Sequence, residues 1–254
     1  MNTTLVVLAH PDRRSFNGAW AKATGKASAA LGHTVLWSDL TAMEFDPVEA
    51  ARHYRRSLSD GVFDPLKEQE KAAETGRIPK DVAGEIDKLR RADRVVFHFP
   101  LWWFGPPAIL KGWFDRVFAH GATHSVEERF DTGRFLGRKA LFCVTTGSNE
   151  AESAFNGKEG DVQMLLWPAA YALRYLGFTV LVPEIVHGVH GYHKGARAER
   201  LRDHLTSVLK AQPDVMAAFD RRPALHFNSD AEFDAQGRLK PQSPSHSLFI
   251  RHTP

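Results

Sequence analysis

A single cysteine, Cys143, is all the sequence holds. One thiol excludes an intramolecular disulfide and a cysteine-rich metal site, and it fits a reducing compartment. Long apolar runs are also missing: none approaches the roughly 18 residues needed to span a bilayer. The N-terminus has no basic stretch leading into an apolar one, so no signal peptide is expected and the chain is expected to be cytoplasmic. Neither charge sign dominates. The 33 basic and 30 acidic residues are interleaved and leave a net +3, too little to argue for a nucleic-acid partner. Repeats, low-complexity tracts and the G-x-G-x-x-G dinucleotide fingerprint are absent as well.

What is present is ordinary globular composition, 43% hydrophobic and 25% charged. Short apolar runs at residues 5–9, 34–38, 95–99 and 140–145 read as strands, with a fifth from about 178 to 183. Between and after them lie helical patterns at about 16–31, 81–91, 107–118, 161–175 and 195–210. Strands that alternate with helices predict an α/β fold with a parallel sheet covered on both faces. Five strands suggest a flavodoxin-like, doubly wound sheet. Residues 1–220 read as one domain interrupted by a long polar insertion at about 45–77. Residues 221–254, with Pro223, Pro241, Pro244 and Pro254, read as an extended C-terminal tail.

In such sheets ligands bind outside the C-terminal strand ends, and three loops there carry unusual chemistry. Residues 9–17 lead into a helix N-terminus, where free amides and the dipole favour an anion. His10, Arg13, Arg14, Ser15 and Asn17 are competent phosphate partners there, or simply a capped helix with a solvated basic turn. Residues 100–118 crowd three tryptophans and three phenylalanines around glycine and prolines. These serve either as core or as a flat wall for a planar cofactor; Pro106 and Pro107 stiffen the exit. Residues 145–149, Thr-Thr-Gly-Ser-Asn, can form an amide nest for an anionic oxygen or an ordinary glycine turn. Together, an anion cradle, an aromatic wall and an amide nest at one sheet end suit a phosphorylated aromatic cofactor such as flavin.

The sequence resembles the NAD(P)H:quinone oxidoreductases, FAD-dependent reductases of flavodoxin-like fold. The motifs that carry the resemblance are Leu8-Ala9-His10 with Ser15-Phe16-Asn17, Ser38-Asp39-Leu40-x-Ala42-Met43-x-Phe45, and Phe99-Pro100-Leu101-x-Trp103-Phe104-Gly105. They continue with Ala108-Ile109-Leu110-Lys111-Gly112-Trp113-Phe114, Thr145-Thr146-Gly147 and Leu166-Trp167-Pro168, over roughly residues 4–210. The resemblance implies that His10, Arg14, Ser15, Phe16 and Asn17 hold the pyrophosphate and neighbouring sugar groups of FAD. Pro100, Leu101, Trp102, Trp103 and Phe104 would line the isoalloxazine, with amides near N5 and O4. Thr145, Thr146, Gly147 and Ser148 would face its N1/O2 edge, and Arg197 and Leu201 its adenine end. It implies a homodimer with active sites built from both subunits, and NADH or NADPH as co-substrate. The acceptor would be a quinone or another planar molecule, reduced by a ping-pong hydride transfer. Trp103, Phe104, Gly147 and the titratable His124 are the catalytic candidates; His124 serves as a proton donor or as a bland exposed histidine.

Several positions depart from the family's pattern. Ser153 and Glu159 stand where the better-known animal members have a tyrosine and a histidine that assist at the N1/O2 edge. His124 and Val126 replace two substrate-pocket tyrosines, Trp102 replaces a glutamine, and Ser148 replaces a glycine, with strain if its φ is positive. Two other readings stand beside the reductase. One is a flavin-binding regulatory subunit of a potassium-efflux system, for which the basic stretch Arg52-His53-Tyr54-Arg55-Arg56 offers a contact to a membrane partner or merely a solvated face. The other is a reductase of azo or nitro compounds. His187, His190 and His193 lie close in sequence, but no carboxylate partner or spacing makes them a metal site.

Overall fold

The computed structural model describes residues 2–54 and 61–253. Parallel strands β1 (Thr3–Leu8), β2 (Thr34–Asp39), β3 (Arg94–Pro100), β4 (Lys139–Thr145) and β5 (Thr179–Val180) lie in the order β2-β1-β3-β4-β5, with β6 (Glu184–Val186) also pairing β4. This is the flavodoxin-like order, which reverses direction between β1 and β3. The register sets Leu5 between Leu36 and Val95, and His98 between Leu8 and Cys143.

Successive strand side chains point to opposite faces, and here both faces are buried. Leu5, Val7, Val95, Phe97, Phe99, Phe142 and Val144 pack under α3 (Lys80–Arg91), α4 (Ala108–Val117) and α5 (Val162–Tyr175). Val96, Leu141 and Cys143 pack on the other face with Trp20 of α1 (Phe16–Ala30) and Met216 of α6 (Ala196–Ala217). Ser15 caps α1 by accepting from the Gly18 amide, and Gly32 leaves the helix at φ 79°. At its far end α6 reaches Arg94, which opens β3: Arg94 donates to the Met216 carbonyl and pairs with Asp220. The start of α6 therefore lies towards the C-terminal end of the sheet.

Residues 45–77, expected to be a weakly periodic excursion, contain helix α2 (Pro65–Glu74). Asp64 caps it and Pro65 opens it. Its amphipathic pattern is faint because Glu68 and Gln69 are buried with Ala72. Gln69 is held by polar contacts instead, donating to the Asp115 carbonyl and accepting from the His120 amide. Buried Arg116 anchors the same segment through Asp81, the Asp46 carbonyl and the ring of Phe45. Gly112 explains its place in the motif: a Cβ there would meet the Pro47 carbonyl oxygen at 2.1 Å.

The expected single fifth strand is two short ones, β5 and β6, separated around Pro183, which has no amide to donate. The last helix runs past residue 210 to Ala217. Residues 221–253 cover the β5 edge: Leu181 and Ala224 form an antiparallel bridge, and Phe249 stacks on Trp167 of α5 at 4.6 Å. Covering an edge strand blocks unwanted pairing there. Among the described residues no helix is long and apolar enough to cross a membrane.

Candidate active site

The loops after β1, β3 and β4 meet at the switch point. The Ala9 amide donates to the His98 carbonyl, the Leu101 amide to that of Thr145, and the Thr146 amide to that of Val186. These bonds extend the ladder one residue past the strands and fix the three loops to each other.

The middle loop is a tight hairpin. Trp102 and Gly105 exchange both backbone hydrogen bonds, at 2.9 and 3.1 Å. Between them Trp103 and Phe104 adopt φ 49° and 63°. Two consecutive left-handed residues closing a two-residue hairpin are the requirement of a type I′ turn, where asparagine and glycine are the usual occupants. A side chain in that region costs about 1–2 kcal/mol per residue. Here the occupants are also aromatic and open to solvent: Trp103 is 95% exposed and Phe104 55%. They contribute little to the core, so strain and exposure together point to a ligand.

Trp103, Phe104 and Leu101 form one wall of a cavity of about 440 Å³ whose other walls are Thr146, Gly147, Ser148, Glu152, Ser153 and Glu159. Among the described residues, the amides of Trp103, Phe104 and Gly147 have no intramolecular acceptor. A Cβ on Gly147 would meet only open space, which leaves room for a flat ring against the backbone. Ser148 is not at positive φ, so the strain foreseen for it does not arise. Its hydroxyl lies 2.8 Å from that of Thr146 and 2.5 Å from that of buried Ser153.

Beneath the loops, buried Asn17 donates from Nδ2 to Thr145 Oγ1 at 2.8 Å, while its Oδ1 has no partner. A buried acceptor left unmade costs about 1–3 kcal/mol. His10 accepts from the Asp12 amide through Nδ1 and sits 6.1 Å from the Trp102 ring. Arg14 is exposed and paired with Asp12, whose carboxyl it holds below the usual carboxylate range. Arg13 pairs with Asp39. The Ser15 hydroxyl serves α1 as its cap. Phe16 packs into the same cluster as Val189, at the start of the loop that leads to α6. Arg197 and Leu201, in the first turns of α6, are thereby brought to the same end of the sheet, with Arg197 exposed.

His124 is placed elsewhere. It lines a separate depression with Phe118, Pro168, Tyr171 and Tyr175. Its Nε2 is bonded to the Phe118 carbonyl, and burial pushes its pKa below the usual histidine value. A neutral imidazole turned to a backbone carbonyl is poorly suited to donate a proton to the first cavity of the same chain. Arg52 of the basic stretch is paired with Asp46; Arg55 and Arg56 lie outside the described residues. The rings of His190 and His193 lie 4.0 Å apart, tilted by 39°. Among the described residues no group of three side chains is arranged to hold a metal.

Sequence reasoning did not single out Glu152, Val162 or Leu165, which complete the cavity. One signal was available. Asn149 and Glu152 bond reciprocally, side chain to backbone, in the Asn-x-x-Glu spacing of a capping box. That spacing folds residues 149–153 back towards the strand end.

The flavodoxin-like fold family matches residues 2–210. The chain is 39% identical over 214 residues to rat NAD(P)H dehydrogenase [quinone] 1, covering 82% of this chain and 78% of that one. The chain belongs to the NAD(P)H:quinone oxidoreductase family. The human relative named ribosyldihydronicotinamide dehydrogenase [quinone] is 38% identical over 183 residues, 71% of this chain and 79% of its own. A Klebsiella pneumoniae crystal structure, provisionally named a quinone reductase, superposes with a TM-score of 0.83 at 27% identity and covers 95% of both chains. Family membership makes this chain an oxidoreductase, an enzyme of the NAD(P)H dehydrogenase (quinone) type.

Proposed function

We propose that the protein is an FAD-dependent NAD(P)H:quinone oxidoreductase. The observation that carries the reading is the strained, exposed Trp103–Phe104 turn, which has two free amides and lines one cavity with Gly147 at the sheet's switch point. A flat heteroaromatic ring with acceptors on two edges satisfies all three donors at once. Trp103 and Phe104 would cover one flank of the isoalloxazine, and Gly147 would let the other edge approach the backbone. Asn17 Oδ1 would accept from a ribityl hydroxyl, and the start of α1 with His10 and Arg14 would face the pyrophosphate. Arg197 and Leu201 would lie under the adenine. Bound flavin would supply the two-electron hydride chemistry; the chain supplies orientation and a dry site.

Hydride transfer needs no side-chain nucleophile from the cavity wall. NADH or NADPH and the quinone would occupy the same open face in turn. Product must leave before the acceptor enters, which predicts ping-pong kinetics. A homodimer fits the apolar groove of about 800 Å³ that runs between α2, α4 and α5 and shares Phe104 and Leu165 with the cavity. A second copy seated there would close the exposed side of the Trp103 ring and put its own residues over the acceptor, the setting in which His124 could act across the interface.

The purified protein should be yellow, should release FAD on denaturation, and should give parallel double-reciprocal lines with NADPH and a simple quinone. A colourless protein that takes up no flavin would sink the reading. Intersecting lines would reject the shared face, and kcat/KM values that favour an azo dye over the quinone would reassign the acceptor. Asn17→Ala should weaken FAD binding about tenfold, measured by titration of the apoprotein, because one charge-free buried hydrogen bond is worth about 1 kcal/mol and its orphaned partner adds to that.

A further inference from the structure

The hydroxyls of Thr146, Ser148 and Ser153 form an unbranched chain along one wall of the cavity. Three hydroxyls carry three protons, and the two contacts between them consume two. Among the described residues none of the three hydroxyls bonds to any other acceptor, so one proton is left over. Either hydroxyl of each contact can donate, so in a uniform chain the spare proton belongs to one of the two ends, Thr146 or Ser153. The Ser148 amide donates to Thr146 Oγ1 at 3.3 Å, and the Ser148 hydroxyl lies 2.8 Å from the same oxygen. An oxygen with two lone pairs can accept both. In the orientation in which Ser148 donates, Thr146 is filled as an acceptor and its own proton points away from Ser148. In the same orientation Ser148 Oγ accepts from Ser153, which is 5% exposed and held by its own amide to the Asn149 carbonyl. All three donors thus run in one direction and end at the cavity.

We propose that this chain is a fixed donor of the site: Thr146 Oγ1 donates to the electron-rich edge of the bound ring, while Ser148 and Ser153 are positioning residues that hold its proton in that direction. The proposal rests on the flavin reading above. It gives a function to Ser148 and Ser153, which depart from the family's pattern. Three non-titrating hydroxyls, near Glu152 and Glu159 of the same wall, offer a hydrogen bond to negative charge without taking on charge themselves. Donors linked in series polarise one another, so the terminal one is stronger than a lone threonine. Because the charge on the ring edge grows on two-electron reduction, the chain should favour the reduced ligand over the oxidised one.

The test compares dissociation constants of oxidised FAD and of FAD reduced anaerobically, both titrated into apoprotein, and needs no turnover. Thr146→Val removes the terminal donor with little change of shape and should lower the preference for reduced over oxidised FAD about tenfold, the scale of one hydrogen bond to a charged group. Thr146→Ser should restore it to within about twofold, which a purely structural role of the threonine methyl would not do. Ser148→Ala and Ser153→Ala should each lower it by about threefold. Ser148 is half-buried, so its variant carries the test if Thr146→Val does not fold. A preference unchanged in both Thr146→Val and Ser148→Ala, in proteins that bind FAD, overturns this inference alone. A wild-type protein that binds neither form of FAD overturns the proposed function and the inference with it.

Discussion

A Trp103→Asn, Phe104→Gly double variant is expected to be more stable than the parent protein and to bind FAD far more weakly. Both native residues stand at positive φ, 49° and 63°, where each side chain costs about 1–2 kcal/mol. Asn-Gly is the pair that a type I′ turn prefers. Neither ring is needed by the core, since Trp103 is 95% exposed. The net gain is about 1–3 kcal/mol, which at about 2–4 °C per kcal/mol for a domain of this size raises Tm by roughly 3–10 °C. The variant keeps the Trp102–Gly105 exchange and with it the two free amides. What it loses is the aromatic wall, and a stacked ring is worth about 1–3 kcal/mol. FAD binding should therefore weaken about a hundredfold, at 1.4 kcal/mol per factor of ten. Differential scanning calorimetry of the apoproteins and flavin titration check the two halves separately. A lower Tm would show that the turn is not strained; an unchanged FAD affinity would show that the amides alone hold the ring. Opposite signs for stability and binding are what a site assembled at the expense of the fold should give.

The sequence carried more of the sheet than of the site. Strands β1, β3 and β4 were legible because burial on both faces makes them unbroken apolar runs. Helix α2 was not, because its buried face carries Glu68 and Gln69, and a polar side chain satisfied by a distant segment looks the same in sequence as one facing water. Pro183 divides the last strand position, although the apolar run around it read as a single strand. Within the site, the motifs brought Trp103, Phe104, Thr146 and Gly147 to one cavity. The conformation that makes them a site was not legible, since nothing in Trp-Trp-Phe-Gly announces two left-handed residues in a row. The hydroxyl chain was hidden for a related reason: Ser153 reaches Ser148 only because residues 149–153 fold back on themselves. His124 was legible only as a titratable residue near the site's motifs. Its place was not legible: the turn after α4 carries it to a depression apart from the cavity of the same chain.

Acid should destabilise the protein through His98, and removing that one imidazole should remove much of the effect. His98 lies in the middle strand with none of its surface exposed, and burial alone lowers its pKa from 6.5 to about 3. Its Nε2 meets Thr24 Oγ1 at 3.0 Å, and Trp20 faces it edge-on at 5.4 Å. Thr24 accepts from Gln212 Nε2, and Gln212 accepts from Trp20 Nε1, so α1, α6 and β3 are joined by one polar chain inside an apolar layer. The Nδ1 atom has no partner, which leaves a positive ring no acceptor on that side. The unfolded chain takes up the proton first, at about its ordinary value, so the contribution of neutral His98 is complete above pH 6.5 and declines as pH falls towards 3. Across that window stability should drop by up to about 1.4 kcal/mol per pH unit. The sum, on the order of 5 kcal/mol, is comparable with the entire stability of many domains. Burial depresses His33, His124 and His187 in the same direction, so the whole protein should lose stability more steeply than this one site predicts. His98→Gln isolates the term: it keeps an amide within reach of Thr24 and does not titrate. Urea midpoints measured from pH 8 to pH 4 should run parallel for the two proteins above about pH 6.5 and converge below it as the wild type falls away faster. Curves that stay parallel throughout would mean that His98 takes up its proton at the same pH folded as unfolded, and the polar chain through Thr24 and Gln212 would then have to be drawn with an acceptor at Nδ1.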